Sequence, residues 1–165
     1  MGTDNRPKTV EYLTAEIFQP SCGAAQCHST FAGNDTDVFD TVIGVRSSLV
    51  DNNLVRPHEE TPNQEVDLII WITQTDPFGR GIGRMPYDAP LPVADVKLLE
   101  DWIDAGAPGA QCNPNHFGGL TCNGDIVSHC DENWNLSTPV MDCSKAQTCG
   151  PSKNLQCACL NGSCQ

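Results

Sequence analysis

The chain of 165 residues carries 9 Lys and Arg against 21 Asp and Glu, a formal charge of −12. That balance is a poor match for nucleic acid or an anionic membrane surface and suits a basic partner. No stretch approaches the roughly 20 apolar residues of a spanning helix, and the length suffices for one ordinary domain plus a small module.

The chain opens with eight polar residues. From Thr9 the apolar positions Val10, Leu13 and Ile17 recur at helical spacing, and Pro20 is expected to end that helix. A loop with Gly33 and Asn34 follows, then a second helix marked by Val38, Val42, Val45 and Leu49, with Asp37 as its cap. Gln64 to Thr73 reads as a third helix, too apolar in Val66, Leu68, Ile69, Ile70 and Trp71 for a surface position. A loop rich in proline and glycine spans Thr75 to Pro92. Pro92 then starts a fourth helix whose buried face is Val96, Leu99, Trp102 and Ile103, and Gly106-Ala107-Pro108 stops it.

Residues 109–165 differ. They are poor in aliphatics and hold eight of the ten cysteines, at 112, 122, 130, 143, 149, 157, 159 and 164. Eight cysteines make four disulfides in about a hundred possible pairings, and spacing alone does not choose among them. Runs such as Gly124-Asp125-Ile126-Val127-Ser128 suggest short β-hairpins stapled by those bridges. The boundary is expected at 108/109. Acid is concentrated before it: residues 1–108 hold 17 acidic and 7 basic side chains, residues 109–165 hold 4 and 2. The cysteine load suits an oxidising compartment, and Met1 to Asn5 has no apolar signal core. The expectation is an exported chain, periplasmic or at the cell surface, from which the signal has been removed.

The chemistry concentrates in Cys22-Gly23-Ala24-Ala25-Gln26-Cys27-His28. Two cysteines with a histidine directly after the second read as a c-type haem attachment, although the usual gap is two residues and this one is four. The thiols would hold the ring covalently and the imidazole would tie the iron from one face. A Cys22–Cys27 disulfide beside an incidental histidine is the alternative. The second half of a haem site is Met85, in Gly83-Arg84-Met85-Pro86-Tyr87. A methionine among prolines and glycines in a polar loop is poorly placed as core filler and well placed as a ligand. Arg80 and Arg84 flank it, either as partners for haem propionates or as solvated loop arginines. His58 competes for the sixth position but sits among carboxylates, where solvation is the simpler reading. Trp134 reads as the apolar anchor of the small module.

The order of Cys22 to His28, Leu54-Val55-Arg56-Pro57, Arg84-Met85-Pro86 and Leu98-Leu99-Glu100-Asp101-Trp102-Ile103-Asp104-Ala105-Gly106-Ala107-Pro108 resembles a class I cytochrome c domain, of the variety found in planctomycete and myxobacterial secreted proteins. The resemblance covers residues 9–108 and departs from the family in the four-residue gap. It implies a mainly α chain: a cytochrome c-like helical domain (1–108) around one covalent haem c, then a small disulfide-rich module (109–165). It also implies Cys22 and Cys27 as attachment points and His28 and Met85 as axial ligands. The activity implied is one-electron transfer to a redox partner protein, since a fully ligated iron leaves no open position for a substrate. A small peroxidase would require Met85 to leave the iron. In a different class stands an extracellular binding or adhesion protein, whose Cys-rich module is functional over a haem-free support. Self-association through that module fits either reading.

Overall fold

A computed structural model describes residues 4–24, 27–32, 37–55, 66–79, 81, 83–87, 89–116, 118–123 and 126–142. Two compact units divide the chain, Met1–Ala110 and Gln111–Gln165.

The first unit begins with one continuous helix in three parts: α1 (Val10–Leu13), a π-helical stretch (Thr14–Phe18) and α2 (Gln19–Ser21). Thr9 caps it, its hydroxyl accepting from the Tyr12 N–H at 3.3 Å. Pro20 does not end this helix as expected. A proline lacks the N–H of the i→i−4 ladder and crowds the carbonyl four residues back. The ladder has already widened when it arrives: the Gln19 N–H donates to the Thr14 carbonyl, five residues back. The helix therefore runs on to Ser21 and delivers Cys22 at its end.

Helix α3 (Val42–Asp51) is shorter than the periodicity suggests. Thr41 caps it, accepting from the Gly44 N–H at 3.1 Å. Val38 lies outside the helix and is bound by its N–H to the Ser48 hydroxyl at 2.6 Å. Asp37, the expected cap, instead accepts from the Asn52 amide. Helix α4 (Asp67–Thr73) and helix α5 (Val93–Asp104) complete the unit, with a 3₁₀ turn at Pro77–Gly79 between them. Pro92 is the residue before α5 rather than its first.

The core draws on all four helical regions: Leu13, Ile17 and Phe18, Val45 and Leu49, Leu68 and Ile69, and Leu98, Leu99 and Trp102. Trp102 is fully buried and donates from its indole Nε1 to the Pro108 carbonyl at 3.1 Å. That bond ties the end of α5 to the turn that follows it. The N-terminal arm is pinned to α5 by Arg6 on Asp95 and by Lys8 on Asp101, the latter shared with Lys97. The lysines hold the Asp101 carboxyl below its usual range, Lys97 first.

In the second unit β1 (Leu120–Asn123), β2 (Ile126–Cys130) and β3 (Leu136–Asp142) form one antiparallel sheet in the order β1-β2-β3. Leu120 pairs with His129, and the β2–β3 register shifts twice, between Val127 and Ser128 and between Ser128 and Cys130. Cys112 and Cys130 are joined by a disulfide, their Cα atoms 5.8 Å apart. The pairing of the other cysteines expected in this module lies outside the described side chains. Trp134 is buried, as an anchor should be, in a left-handed turn (φ 64°). Asp131 holds that turn by accepting from the Asn133 and Asn135 N–H groups.

The expected mainly α, cytochrome c-like fold with a module of small hairpins is thus corrected. Among the described residues no helix exceeds 12 residues, and a three-stranded antiparallel sheet builds the described part of the second unit. Proline, glycine and Asn-Asp turns interrupt the helical periodicity of the first unit before long helices form. In the second, the runs 120–123, 126–130 and 136–142 pair as one antiparallel sheet.

Candidate functional site

A cavity of about 720 Å³ lies in the first unit. Cys22, Cys27, His28 and Met85 all line it. They come from two segments 57 residues apart, and each is held by a different device.

The Cys22 to His28 segment is a closed loop. Cys22 and Gly23 both donate their N–H to the Phe18 carbonyl, at 2.7 and 2.8 Å, at the end of the N-terminal helix. Cys27 donates to Ala24 at 2.8 Å, and His28 donates back to the Cys22 carbonyl at 3.1 Å. Gly23 has a further reason to be glycine: a Cβ there would stand 2.8 Å from the Phe39 carbonyl oxygen and 2.9 Å from Asp40 backbone. The 39–40 backbone lies against the loop, and the Phe39 N–H closes the contact on the His28 carbonyl at 2.7 Å. The Phe39 ring stacks on Phe18 (centroids 5.5 Å) and meets the His28 imidazole edge-on (5.4 Å). Asp40 fixes the neighbouring turn by accepting from the Thr30 N–H and hydroxyl, which hold its carboxyl below the usual range.

Both thiols are free, Cys27 exposed and Cys22 partly buried. Burial, with Cys27 nearby, pushes the Cys22 thiol up to about 12. Cys22 is therefore a protonated thiol in an apolar wall, while Cys27 meets solvent.

Met85 reaches the same cavity from the loop between α4 and α5. Its N–H donates to the Trp71 carbonyl at 2.9 Å. Tyr87 folds over Gly83, where a Cβ would stand 2.7 Å from its ring. Arg84 is half-buried, its Nε enclosed and without a hydrogen-bond partner among the described residues. Arg80 and His58 lie outside the described residues.

Sequence reasoning missed several lining residues. Phe39, Leu91 and Ile72 form the apolar wall, and Asp37 and the exposed Tyr87 belong to the lining as well. Trp71, which reads as core in sequence, is half-buried and lines the cavity. Nothing local marks these residues. Only the proline run 86, 90 and 92, of which all three line the cavity, was a signal that this loop is shaped rather than loose.

No family model, curated protein or solved structure matches the chain. The donor set is then the remaining guide. Two thiols, an imidazole and a thioether are soft or borderline ligands. Yet among the described residues no three His, Cys, Asp or Glu side chains are grouped closely enough to hold a metal ion. The donors share a cavity instead of a coordination sphere, and its volume is that of a cofactor site, roughly 300–1,000 Å³. Among the described residues no helix is long and apolar enough to cross a membrane.

Proposed function

We propose that the first unit holds one covalent haem c and serves as a one-electron carrier. The observation that carries the proposal is the convergence of Cys22, Cys27, His28 and Met85 on one apolar cavity. When bound, the haem supplies the ferrous/ferric couple. The chain's own residues do the rest. Cys22 and Cys27 would hold the ring by thioether bonds. His28 and Met85 would supply the iron's imidazole and thioether donors, a pair that favours a raised reduction potential. Phe18, Phe39, Leu68, Ile72 and Leu91 exclude water, which disfavours the more highly charged ferric state and moves the potential the same way. The unpaired Arg84 Nε–H is a donor of the kind a haem propionate would satisfy; Arg80 is proposed for the same task from its place in the sequence.

The order of the motifs along residues 9–108, which resembles that of class I cytochromes c, supports the same reading. The ten cysteines and the Cys112–Cys130 bridge favour an exported chain, periplasmic or at the cell surface. The charge of −12 favours a basic redox partner protein. The Cys-rich module is proposed to dock the carrier to that partner or to another copy of itself.

The test is intact mass under denaturing conditions, on protein made with c-type maturation machinery, beside a reduced visible spectrum. A mass raised by one haem with sharp low-spin bands is expected. The bare polypeptide mass, with Cys22 and Cys27 joined as a disulfide, would overturn the proposal and leave the Cys-rich module as the functional part.

A further inference from the structure

The loop that carries Met85 is long and crosses several left-handed positions, so something has to hold it. Two contacts on the same residue do. The Trp71 carbonyl, in the last turn of α4, accepts the Met85 N–H at 2.9 Å. The Trp71 ring, which itself lines the cavity, meets the Phe78 ring edge-on at 5.4 Å and 61°. Phe78 adopts φ 61°, ψ 16°, a left-handed conformation that a bulky side chain rarely takes. Such a conformation persists where surrounding contacts over-determine it, and the ring contact with Trp71 is one of them. Asp76 steadies the same turn, its carboxylate accepting from the Gly81 N–H at 2.8 Å.

We infer that Trp71 is a positioning residue for Met85, acting as a latch: its backbone fixes the methionine's main chain, and its ring, braced by Phe78, keeps the loop closed over the cavity. The inference rests on the haem reading for what Met85 ligates, and on geometry alone for where Met85 is held. Without the ring, the Met85 N–H···O=C bond loses the packing beside it, and the loop opens more often. In the haem-loaded protein an opened loop would withdraw the Met85 thioether, while His28 and the two cysteines would keep their hold on the group.

Two readouts separate the latch from the haem. The first is amide hydrogen exchange at Met85 in the haem-free protein. Trp71→Ala is expected to raise that rate by a factor approaching about tenfold over the wild type, with Trp71→Phe close to wild type, because the edge-on ring pair is lost while the carbonyl of residue 71 still accepts. The second is the haem-loaded protein. There Trp71→Ala is expected to retain its covalent haem by mass while losing the methionine–iron absorption band and lowering the reduction potential, and Trp71→Phe is expected to restore both. Phe78→Ala, on a side chain 44% exposed and outside the core, guards against a folding failure of Trp71→Ala and is expected to move both readouts in the same direction. Unchanged Met85 exchange in both alanine variants overturns the latch whether or not haem binds. A wild type with no covalent haem overturns the proposed function, and the exchange rates still decide the latch.

Discussion

Met85 and the two cysteines make the sharpest residue-level predictions, because each has one proposed bond to the haem. Met85→Ala is expected to leave the haem attached and to lower its reduction potential. An unchanged potential, read by spectroelectrochemistry, would remove Met85 from the iron. The thiols differ in a way the sequence does not reveal. Cys27 is exposed, whereas Cys22 lies against the apolar wall with its thiol pushed from 9.0 up to about 12. In the reduced, haem-free protein, iodoacetamide near pH 8 is expected to modify Cys27 well before Cys22. Equal rates by peptide mass would contradict the burial of Cys22. The same shift has a stability consequence. Between about pH 9 and 12 an unfolded chain has released this proton and the folded chain keeps it. The Cys22 contribution is therefore complete below pH 9 and is lost as pH rises through that window. Chemical denaturation across pH 8 to 11, wild type against Cys22→Ala, measures it.

At the scale of elements, apolar spacing told where helices lie better than where they begin. Val10, Leu13 and Ile17 mark the first helix correctly, but Pro20 reads as a stop and is not one, because a π-helical stretch opens the hydrogen-bond ladder ahead of it. Val38 continues the periodicity of α3 yet lies outside it, since the Thr41 hydroxyl starts the helix and Ser48 takes Val38 as a partner. Thr41→Ala is expected to cost about 1 kcal/mol of stability, as the loss of an N-cap does, measured by urea unfolding. The constraint on Gly23 is the backbone of Phe39 and Asp40, which approaches it from beyond the loop and which no local spacing expresses. Gly23→Ala is expected to shift the Cys22–His28 loop off that backbone, lowering the yield of covalent haem more than it lowers stability. Equal yields of the two proteins at equal expression would show the close approach to be dispensable.

At the scale of the whole chain, the two units rest on different physics. The first has an apolar core contributed by every helix; the second pairs three short strands around Val127, Cys130 and Trp134 and adds a covalent bridge. Three strands with little apolar surface are marginal alone. Replacing Cys112 and Cys130 together by serine is therefore expected to destabilise the second unit by about 3 kcal/mol, the value for a loop of that length. Faster hydrogen exchange in β2 of the full chain, with no comparable change at Leu98 and Leu99, is the measurement. The expectation of a mainly α chain failed at this scale. Turn residues between apolar runs shortened the helices, and the three strands beyond residue 119 form one sheet whose extent depends on which strands pair.

The sequence by itself determined the composition of the site: which residues carry thiol, imidazole and thioether, and that Cys27 and His28 are neighbours. Those are properties of single side chains and short spacings. It also marked Leu68 and Ile69 of α4 and Leu99, Trp102 and Ile103 of α5 as buried, because periodicity is a local statement, but it passed over Ile72 and Leu98 and took the half-buried Ile70, Trp71 and Val96 with them. Tertiary structure alone decided that Met85 shares a cavity with residues 57 or more positions earlier, that Trp71 and Phe39 complete its wall, and that Cys112 chooses Cys130. Each of these depends on chain segments meeting after folding, and the free energy that brings them together is spread over the whole core rather than written at either partner.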